Sequence, residues 1–485
     1  MLFLSREIRL FFSKTLPVGV TIDGRSVLLT EELVGLLCLC RNGLALPEGI
    51  SYVEQKCPGI NAESVISRLV DEGILQRGRP RKPWFGNTFG ADLIDTEEYE
   101  AIKRVLDSKR LFRYEGILGE NLDYLDLSPA TQFERELSSL MECRYCIVLN
   151  SGTSALECAL AALGAGPGKK VIVPSYSYIG VVAAVLNSGA LPIICDIDES
   201  LMLCPESIKR HISDDTCGII CVHLRGVASE ILSLKRIAEE KGLFLIEDCA
   251  QALGTNFQGK PVGSFGDVGC LSFHQHKIIT CGEGGAVITN RRDLYERMLL
   301  ISDASRLFAH RMLPGVPGHN VRMSELHATL GLVQIRKLAK IVDRLRAIYK
   351  IMSVRLAFCP GITLQRFPDP PGAVPLSVNL FCQDAGTAHA MADYLVAQGI
   401  PARVLFRPDQ IDHNIYVFWP YALEMIGLTQ RWNPHSDKIQ KLCSESLGLL
   451  GKTVSIPIGY KITEEDAIRC ADAIIHFAVS SSAAV

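Results

Sequence analysis

The chain has 485 residues, 48% of them hydrophobic, so it can bury a large core and is long enough for about two or three domains. Its formal net charge of −3 is made of mixed signs, which gives no electrostatic reason to expect a nucleic-acid partner. No run of about 18 apolar residues is present, and the amino terminus lacks a cleavable signal pattern. We therefore expect a cytoplasmic protein without a membrane segment.

Seventeen cysteines are scattered among apolar residues, which is typical of reduced, buried thiols. Cys143 and Cys146 have the spacing of a metal or redox pair, but no second pair or paired histidines complete a zinc set. His274 and His276 also have ligand spacing, without a converging set of carboxylates or thiols. We expect no metal site.

Residues 1–76 are predicted to form a small domain of three short β segments and two helices, in an order typical of a winged helix. The β segments are Ile8–Phe12, Val18–Ile22 and Ser26–Leu29, and the helices begin at Thr30 and run near Asn61–Glu72. Prolines, glycines and a basic run without periodicity then predict a linker over residues 77–93.

Apolar, β-branched strands alternate with helices over residues 94–345, which predicts a mostly parallel sheet covered on both faces. The predicted strands are Tyr145–Leu149, Val171–Pro174, Leu191–Cys195, Gly218–Val222 and Leu243–Glu247. A long helix is predicted from about Ser324 to Leu356, and residues 346–485 indicate a smaller α+β domain. The predicted fold class is α/β.

The segment NSGTSAL, Asn150–Leu156, joins a strand to a helix through a glycine-containing turn. Free backbone N–H groups, the positive end of the helix dipole and the hydroxyls of Ser151, Thr153 and Ser154 suit a phosphate. An ordinary Ser/Thr helix cap gives the same pattern, so both interpretations stay open.

The segment GLFLIEDCAQALG, Gly242–Gly254, is an apolar strand that ends in Glu247 and Asp248. Functional groups collect at the carboxyl ends of such strands. An aspartate here could form a salt bridge with a protonated pyridine nitrogen and keep that ring cationic. A helix-capping carboxylate is the alternative.

Lys277 follows an apolar segment and precedes a glycine-rich turn. Its neighbours Phe273, Ile278 and Ile279 would desolvate the amine and lower its pKa, which suits Schiff-base chemistry. We therefore expect Lys277 to be a reactive lysine that forms a Schiff base with a carbonyl group.

Together these segments resemble the DegT/StrS family of sugar aminotransferases, which depend on pyridoxal 5′-phosphate (PLP), and the resemblance implies that Lys277 holds PLP covalently. The resemblance covers roughly residues 90–478 and rests on six motifs in the family's order: NSGTSAL, VPSYSYIG, EDCAQALG, SFHQHK, CGEGGAV and GHNVRMSELHATLGL. It implies a fold-type-I transferase that works as a homodimer with shared active sites.

The resemblance also implies a role for each matching residue. Lys277 would be the catalytic base as well as the PLP-bearing lysine, Asp248 would pair with the pyridine nitrogen, and Gln251 would contact the phenolic oxygen. Tyr178 would stack on the pyridine face. The phosphate would be held by Gly152, Thr153, Ser154, Ser272 and, from the neighbouring subunit, Asn320.

An enzyme of this kind would take an amino group from glutamate or glutamine and pass it to a carbonyl acceptor. By analogy the acceptor is a nucleotide-linked keto sugar or a cyclitol ketone. Two stretches depart from the family, and an acceptor would be met there: SDASRLFAHRMLPGVPGHN and RPDQIDHNIYVFWPYA.

Residues 1–76 resemble the PqqD-like winged-helix domains of enzymes that modify ribosomal peptides, on the basis of LSREIRL, TIDGRSVLLTEELVGLLCL and VISRLVDEGILQRG. The implied partner is a leader peptide bound as an added edge strand, and the acceptor would then be borne by a peptide or carrier. The alternative is a dimer-stabilising appendage. DNA binding is disfavoured because the helix face lacks a concentrated basic patch.

Two other functions stay open. A PLP-dependent sugar dehydratase would share the cofactor site, but that branch typically carries histidine in place of the lysine at Lys277. A non-catalytic binding protein on the same fold would not need the lysine, aspartate, glutamine and serine together.

Overall fold

The structure is a computed structural model of the chain. It describes residues 2–4, 9–11, 19–22, 25–28, 75–77, 90–113, 128–303 and 318–482. The chain divides into two compact units, Met1–Pro83 and Trp84–Val485. The division falls inside the segment 77–93 that the sequence assigns to a linker.

The described part of the first unit consists of short antiparallel strands. They are β1 (Leu2–Leu4), β2 (Arg9–Phe11), β3 (Gly19–Ile22), β4 (Arg25–Leu28) and β5 (Leu75–Arg77). β1 pairs with β5, and a separate sheet has the order β2-β3-β4. Strands β2 to β4 overlap the three predicted β segments, whereas the helices predicted from Thr30 and near Asn61–Glu72 lie outside the described residues.

A seven-stranded sheet forms the centre of the second unit. Its strands are β6 (Tyr145–Leu149), β7 (Lys170–Pro174), β8 (Leu191–Cys195), β9 (Thr216–Val222), β10 (Phe244–Asp248), β13 (Val268–Ser272) and β14 (Gly285–Thr289). Two further short strands, β11 (Asn256–Phe257) and β12 (Lys260–Pro261), pair with each other outside this sheet. The sheet order is β6-β14-β13-β10-β9-β7-β8, and β14 is antiparallel to both its neighbours. The other neighbouring pairs are parallel, which confirms the predicted mostly parallel α/β sheet.

Helices surround this sheet. They are α1 (Thr96–Ser108), α2 (Pro129–Leu140), α3 (Gly152–Leu163), α4 (Ile179–Asn187), α5 (Pro205–His211), α6 (Ile231–Lys241), α7 (Arg292–Ser302), α8 (Glu325–Ile335) and α9 (Leu338–Leu356). Successive strand residues point to opposite faces, so β6 contributes Cys146 and Val148 to one apolar cluster and Ile147 and Leu149 to another. The sheet is thus an interior layer with a core on each face.

The prediction of one long helix over residues 324–356 is wrong at residues 336–337, where the structure separates α8 from α9. At the junction the Lys337 N–H bonds to the carbonyl of Gln334, three residues earlier, which tightens the turn. The Lys337 ammonium then lies 2.8 Å from the buried carboxylate of Glu98 on α1. At this break an ion pair therefore connects the helix pair α8 and α9 to α1, which lies near the beginning of the second unit.

The carboxyl-terminal part of the second unit adds a four-stranded antiparallel sheet and five helices. The strands are β15 (Ile362–Leu364), β16 (Ser377–Cys382), β17 (Arg403–Val404) and β18 (Thr453–Pro457), in the order β15-β16-β18-β17. The helices are α10 (Ala385–Ala397), α11 (Pro420–Met425), α12 (Asp437–Gln440), α13 (Ser444–Gly451) and α14 (Glu464–Ser482). Of the helices that the structure describes, none is long and apolar enough to span a bilayer.

Gly285 at the start of β14 provides a test of how closely the sheet meets α3. A Cβ at this position would lie 2.3 Å from the carbonyl oxygen of Ser151 and 2.7 Å from the nitrogen of Gly152. We predict that Gly285→Ala lowers the free energy of unfolding by about 1–3 kcal/mol, because the turn before α3 must shift. Urea unfolding followed by circular dichroism measures the change.

Gly448→Ala is the matched control, because a Cβ at this α13 position has no neighbour within 4 Å. Alanine favours a helix over glycine by about 0.5–1 kcal/mol, so the control should be neutral or stabilising. An equal loss of stability in both variants would contradict the close-approach argument.

Candidate active site

A cavity of about 380 Å³ opens beside the carboxyl ends of β9, β10 and β13. Crevices of this kind beside parallel strand ends are where α/β proteins bind ligands. Seven of the nine predicted site residues line it: Gly152, Thr153, Tyr178, Asp248, Gln251, Ser272 and Lys277. Ser154 and Asn320 are not among the lining residues. The structure therefore brings most of the predicted set to one place, while the individual roles stay predictions.

The turn before α3 forms one end of the cavity. Ser151 caps the helix: its Oγ accepts the Ser154 N–H at 3.0 Å and lies 2.9 Å from the Ser154 hydroxyl. The helix cap is thus present, and the Ser154 hydroxyl is bonded within it. Gly152 and Thr153 line the cavity, and a Cβ on Gly152 would lie 2.8 Å from the Ser272 Cβ. This narrow cradle at a helix N-terminus fits the phosphate of PLP.

Asp248 is the last residue of β10 and is 5% exposed. Its Oδ1 accepts the backbone N–H of Ala250 at 2.9 Å. Burial raises the pKa of the Asp248 carboxyl, while the Ala250 N–H and the charge of Lys277 oppose that rise. A cation placed against such a carboxylate would stabilise it, which fits the protonated pyridine nitrogen of PLP.

Lys277 lies half-buried on the loop between β13 and β14. Burial lowers the pKa of its ammonium, and the charge of Asp248 partly opposes the change. A lower pKa leaves more of the amine neutral and nucleophilic. The backbone of the lysine is held at both ends: its N–H donates to the His274 carbonyl at 2.9 Å, and its carbonyl accepts the Gly90 N–H at 3.2 Å.

Glu247 precedes Asp248 and is fully buried. Its carboxylate accepts three backbone N–H groups of the segment 263–266 at 2.6–2.7 Å and lies 3.0 Å from His223 Nε2. Burial alone would raise the pKa of Glu247, but the His223 hydrogen bond and the backbone N–H groups outweigh it, so the pKa lies below its usual range. The sequence marked this residue only as part of a strand end.

His223 and Cys249 complete a buried group around Glu247, with ligand atoms within 4.8 Å of one another. The His223 Nδ1 accepts the N–H of Ser229 at 3.0 Å, which assigns the ring proton to Nε2, facing Glu247. An Nε2 that carries a proton has no lone pair for a metal ion. Sequence reasoning missed His223 because it meets Glu247 only through the pairing of β9 with β10.

Gln251 is held by a contact that the sequence did not indicate. Its Oε1 accepts the backbone N–H of Arg225 at 3.3 Å. Arg225 has a φ of 53°, in the left-handed region that non-glycine residues seldom adopt. Its guanidinium donates to the Tyr176 hydroxyl at 3.0 Å and to Ser455 Oγ on β18 at 3.2 Å. Arg225 thus links Gln251 to the carboxyl-terminal sheet.

Tyr178 and Asn320 occupy different positions relative to the cavity. Tyr178 is 56% exposed on the cavity wall, where an aromatic ring can cover a planar ligand. Asn320 is exposed and forms an antiparallel bridge with Asp303. Its phosphate role depends on a second subunit and stays a prediction.

Comparison with known proteins gives matches over most of the second unit. The model of the DegT/DnrJ/EryC1/StrS aminotransferase family matches residues 123–474. A GDP-perosamine synthase of Vibrio cholerae is 37% identical over 230 residues, 47% of this chain and 63% of that protein. An L-glutamine:2-deoxy-scyllo-inosose aminotransferase of Streptomyces kanamyceticus is 32% identical over 294 residues, 60% of this chain and 65% of that protein. The matched regions thus span less than two thirds of these relatives.

A solved structure extends the likeness. The aminotransferase from Psychrobacter cryohalolentis has a TM-score of 0.67 to this chain at 26% identity, covering 83% of this chain and 99% of its own. The likeness takes in nearly the whole of that solved chain. It confirms the fold-type-I architecture that the motifs predict.

Asp248→Asn should separate stability from binding. The folded protein raises the pKa of Asp248 above its ordinary 3.8, so folding favours the protonated carboxyl. The contribution of Asp248 to stability is therefore full at low pH and is lost as the pH rises through the folded pKa. We predict that the variant raises the Tm of the PLP-free protein at pH 7, that the gain shrinks toward pH 4, and that PLP affinity falls. Calorimetry of the PLP-free protein and titration with PLP measure the two effects.

Glu247→Gln is the control at the adjacent position, and its expected change in Tm at pH 7 has the opposite sign. Its pKa is lowered below the ordinary 4.5, so its contribution is present above that value and lost as the pH falls through the folded pKa. The variant should lower the Tm at pH 7. A change of the same sign in both variants would contradict the assigned environments.

Proposed function

This chain belongs to the DegT/DnrJ/EryC1/StrS aminotransferase family, whose enzymes depend on PLP, and we propose that it moves an amino group from glutamate or glutamine to a carbonyl carbon of a hydroxylated ring. One observation carries the proposal: the half-buried Lys277, the buried Asp248 and the start of α3 converge on one cavity. The names of two relatives support the substrate classes, since one gives L-glutamine with 2-deoxy-scyllo-inosose and the other GDP-perosamine.

Bound PLP would supply an aldehyde that exchanges amines and a ring that withdraws electrons from the reacting carbon. Lys277 Nζ would hold PLP by condensing with its aldehyde, with loss of one water, because the lowered pKa of Lys277 favours the neutral amine. Once released by the amino donor, the same Nζ would take the proton from the α-carbon of the donor. In the second half of the reaction it would give a proton to the carbon that carries the new amine of the product.

The other cavity residues would position the ring and protect it. Asp248 would keep the pyridine nitrogen protonated, and its burial keeps water from weakening that ion pair. Gln251, oriented by the N–H of Arg225, would contact the phenolic oxygen. Tyr178 would cover one face of the ring. The α3 start and the Ser272 hydroxyl would hold the phosphate.

We also infer that two copies of the chain share their sites. In its own chain Asn320 is exposed and does not line the cavity, which is consistent with a residue that serves a neighbour. A homodimer would place this amide at the partner's phosphate and complete the site.

Lys277→Ala tests the proposed function directly. The purified wild-type chain with PLP should show the yellow absorbance of lysine-bound PLP, and glutamate or glutamine should bleach it. The variant should lack that absorbance and lose transamination by about 10²-fold or more, because both the bond to PLP and the base are removed. Absorbance spectra and stopped-flow kinetics measure both.

Lys350→Ala is the control, because Lys350 is an exposed lysine of α9 that does not line the cavity. It should keep the absorbance and the rate of the wild type. A yellow, donor-responsive Lys277→Ala protein would refute the assignment.

A second candidate function concerns the partner that the first unit would bind. Strands β2 and β4 each have a described partner, β3, on one side. An exposed edge of such a sheet could accept an added peptide strand, and we propose that this unit recruits a leader peptide or carrier that bears the acceptor.

We predict that a chain beginning at Trp84 loses activity on a peptide- or carrier-borne acceptor and keeps activity on a free ring acceptor. The reason is that the cavity belongs wholly to the second unit. Comparing kcat/KM for the two acceptor types gives the result. Equal losses on both would favour a structural appendage.

A further inference from the structure

Three titratable side chains on the cavity wall have no part in the cofactor contacts proposed above. They are His274, His276 and Glu283. The side chains of His274 and Glu283 are 41% and 64% exposed, and His276 is also exposed. These three residues therefore form a polar rim where the cavity meets solvent.

The backbone of the lysine loop places two rim residues opposite each other. The Phe273 N–H donates to the Gly284 carbonyl, and the Gln275 N–H donates to the Gly282 carbonyl, both at 2.8 Å. The residues between these pairs, His274 and Glu283, face each other across the two limbs, as cross-strand neighbours do. Their Nε2 and Oε1 atoms lie 3.6 Å apart. The pair is thus fixed by the same loop that carries the lysine.

Hydrogen bonding also sets the proton position of one imidazole. His274 Nδ1 accepts the backbone N–H of His276 at 3.3 Å, so the ring proton is on Nε2, on the side of Glu283. The His276 ring lies edge-on to the His274 ring, with centroids 5.2 Å apart. The rim therefore presents a carboxylate that accepts hydrogen bonds beside two imidazoles.

Folding gains little from these contacts. An exposed contact between an imidazole and a carboxylate at 3.6 Å contributes little to stability, because solvent competes for both groups. A metal role does not fit either: among the described residues, converging ligand atoms are found at the buried group of His223, Glu247 and Cys249 and not at the rim. Polar groups on a cavity wall are suited to orienting a bound substrate.

We propose that the rim binds hydroxyl groups of the ring that carries the acceptor carbonyl, an inference that rests on the proposed function. A hydroxyl can donate to the Glu283 carboxylate and exchange hydrogen bonds with an imidazole. The negative charge of Glu283 disfavours a phosphate or carboxylate at this point. The chemistry is that of an uncharged hydroxylated ring, whether it is a free cyclitol or the sugar of a nucleotide-linked compound.

The experiment uses the full chain loaded with PLP and follows two half-reactions by absorbance. Glutamine probes the donor side. The ring side is probed with 2-deoxy-scyllo-inosose on the aminated enzyme and with GDP-perosamine run in reverse on the PLP form. For Glu283→Gln and for the double variant His274→Gln with His276→Gln, the ratio of ring rate to glutamine rate should fall about tenfold or more. The probe that loses more identifies the source of the ring.

Gln275→Ala is the matched control, because Gln275 is exposed on the same loop, does not line the cavity and keeps its backbone bond to Gly282. Its ratio should equal that of the wild type. An equal loss in both half-reactions of the rim variants, or no loss in either, overturns the inference.

Equilibrium binding gives a second readout that does not depend on turnover. Each ring probe is titrated by calorimetry into the Lys277→Ala chain with and without Glu283→Gln. The substitution at Glu283 should weaken the Kd about tenfold, and an unchanged Kd, or no binding of either ring to the Lys277→Ala chain, overturns the inference. If wild-type protein shows no lysine-bound PLP and no response to glutamine or glutamate, the proposed function fails instead. A weaker Kd in the Glu283→Gln chain would still support the rim in that case.

Discussion

The carboxylate of Glu247 lies in the core of the second unit and accepts hydrogen bonds from three backbone N–H groups of the segment 263–266 and from His223. These bonds satisfy a buried charge that would otherwise be costly. They also hold the segment that leads into β13 against the end of β10. The cavity depends on this alignment, because β10 ends at Asp248 and β13 ends at Ser272.

Adjacent carboxylates on β10 therefore have opposite environments. Glu247 is saturated with donors, whereas Asp248 has one backbone N–H and a nearby lysine. Because successive strand residues point to opposite faces, the first stabilises the fold while the second faces the cavity. A carboxylate left short of donors in the folded state is characteristic of a functional site, where stability is given up for binding.

The sequence predicted those parts of the molecule that local patterns encode. The apolar strands from Tyr145 onward predicted the sheet, and the motifs around Asp248 and Lys277 predicted a set of residues of which most line one cavity. Contacts between distant segments left no local signal, so His223 and Arg225 were missed. The helix break at Lys337 was missed for the same reason, since the ion pair that Lys337 forms there is with Glu98 on another helix. Glu283 stood inside a predicted motif, but its position opposite His274 required the pairing of the loop.

The hydrogen bond from Gly90 to the carbonyl of Lys277 has a consequence for how the molecule can be cut. A Cβ on Gly90 would lie 2.7 Å from the Cα of Ile279, so the chain passes directly behind the lysine loop. Proteolysis before Gly90 would leave Gly90, and its hydrogen bond to the lysine loop, joined to the rest of the second unit. Proteolysis just after Gly90 would separate it from that unit and remove this support of the lysine loop, although every residue that lines the cavity would stay intact. The first described turn of the second unit, Gly90–Leu93, thus supports the loop that carries Lys277.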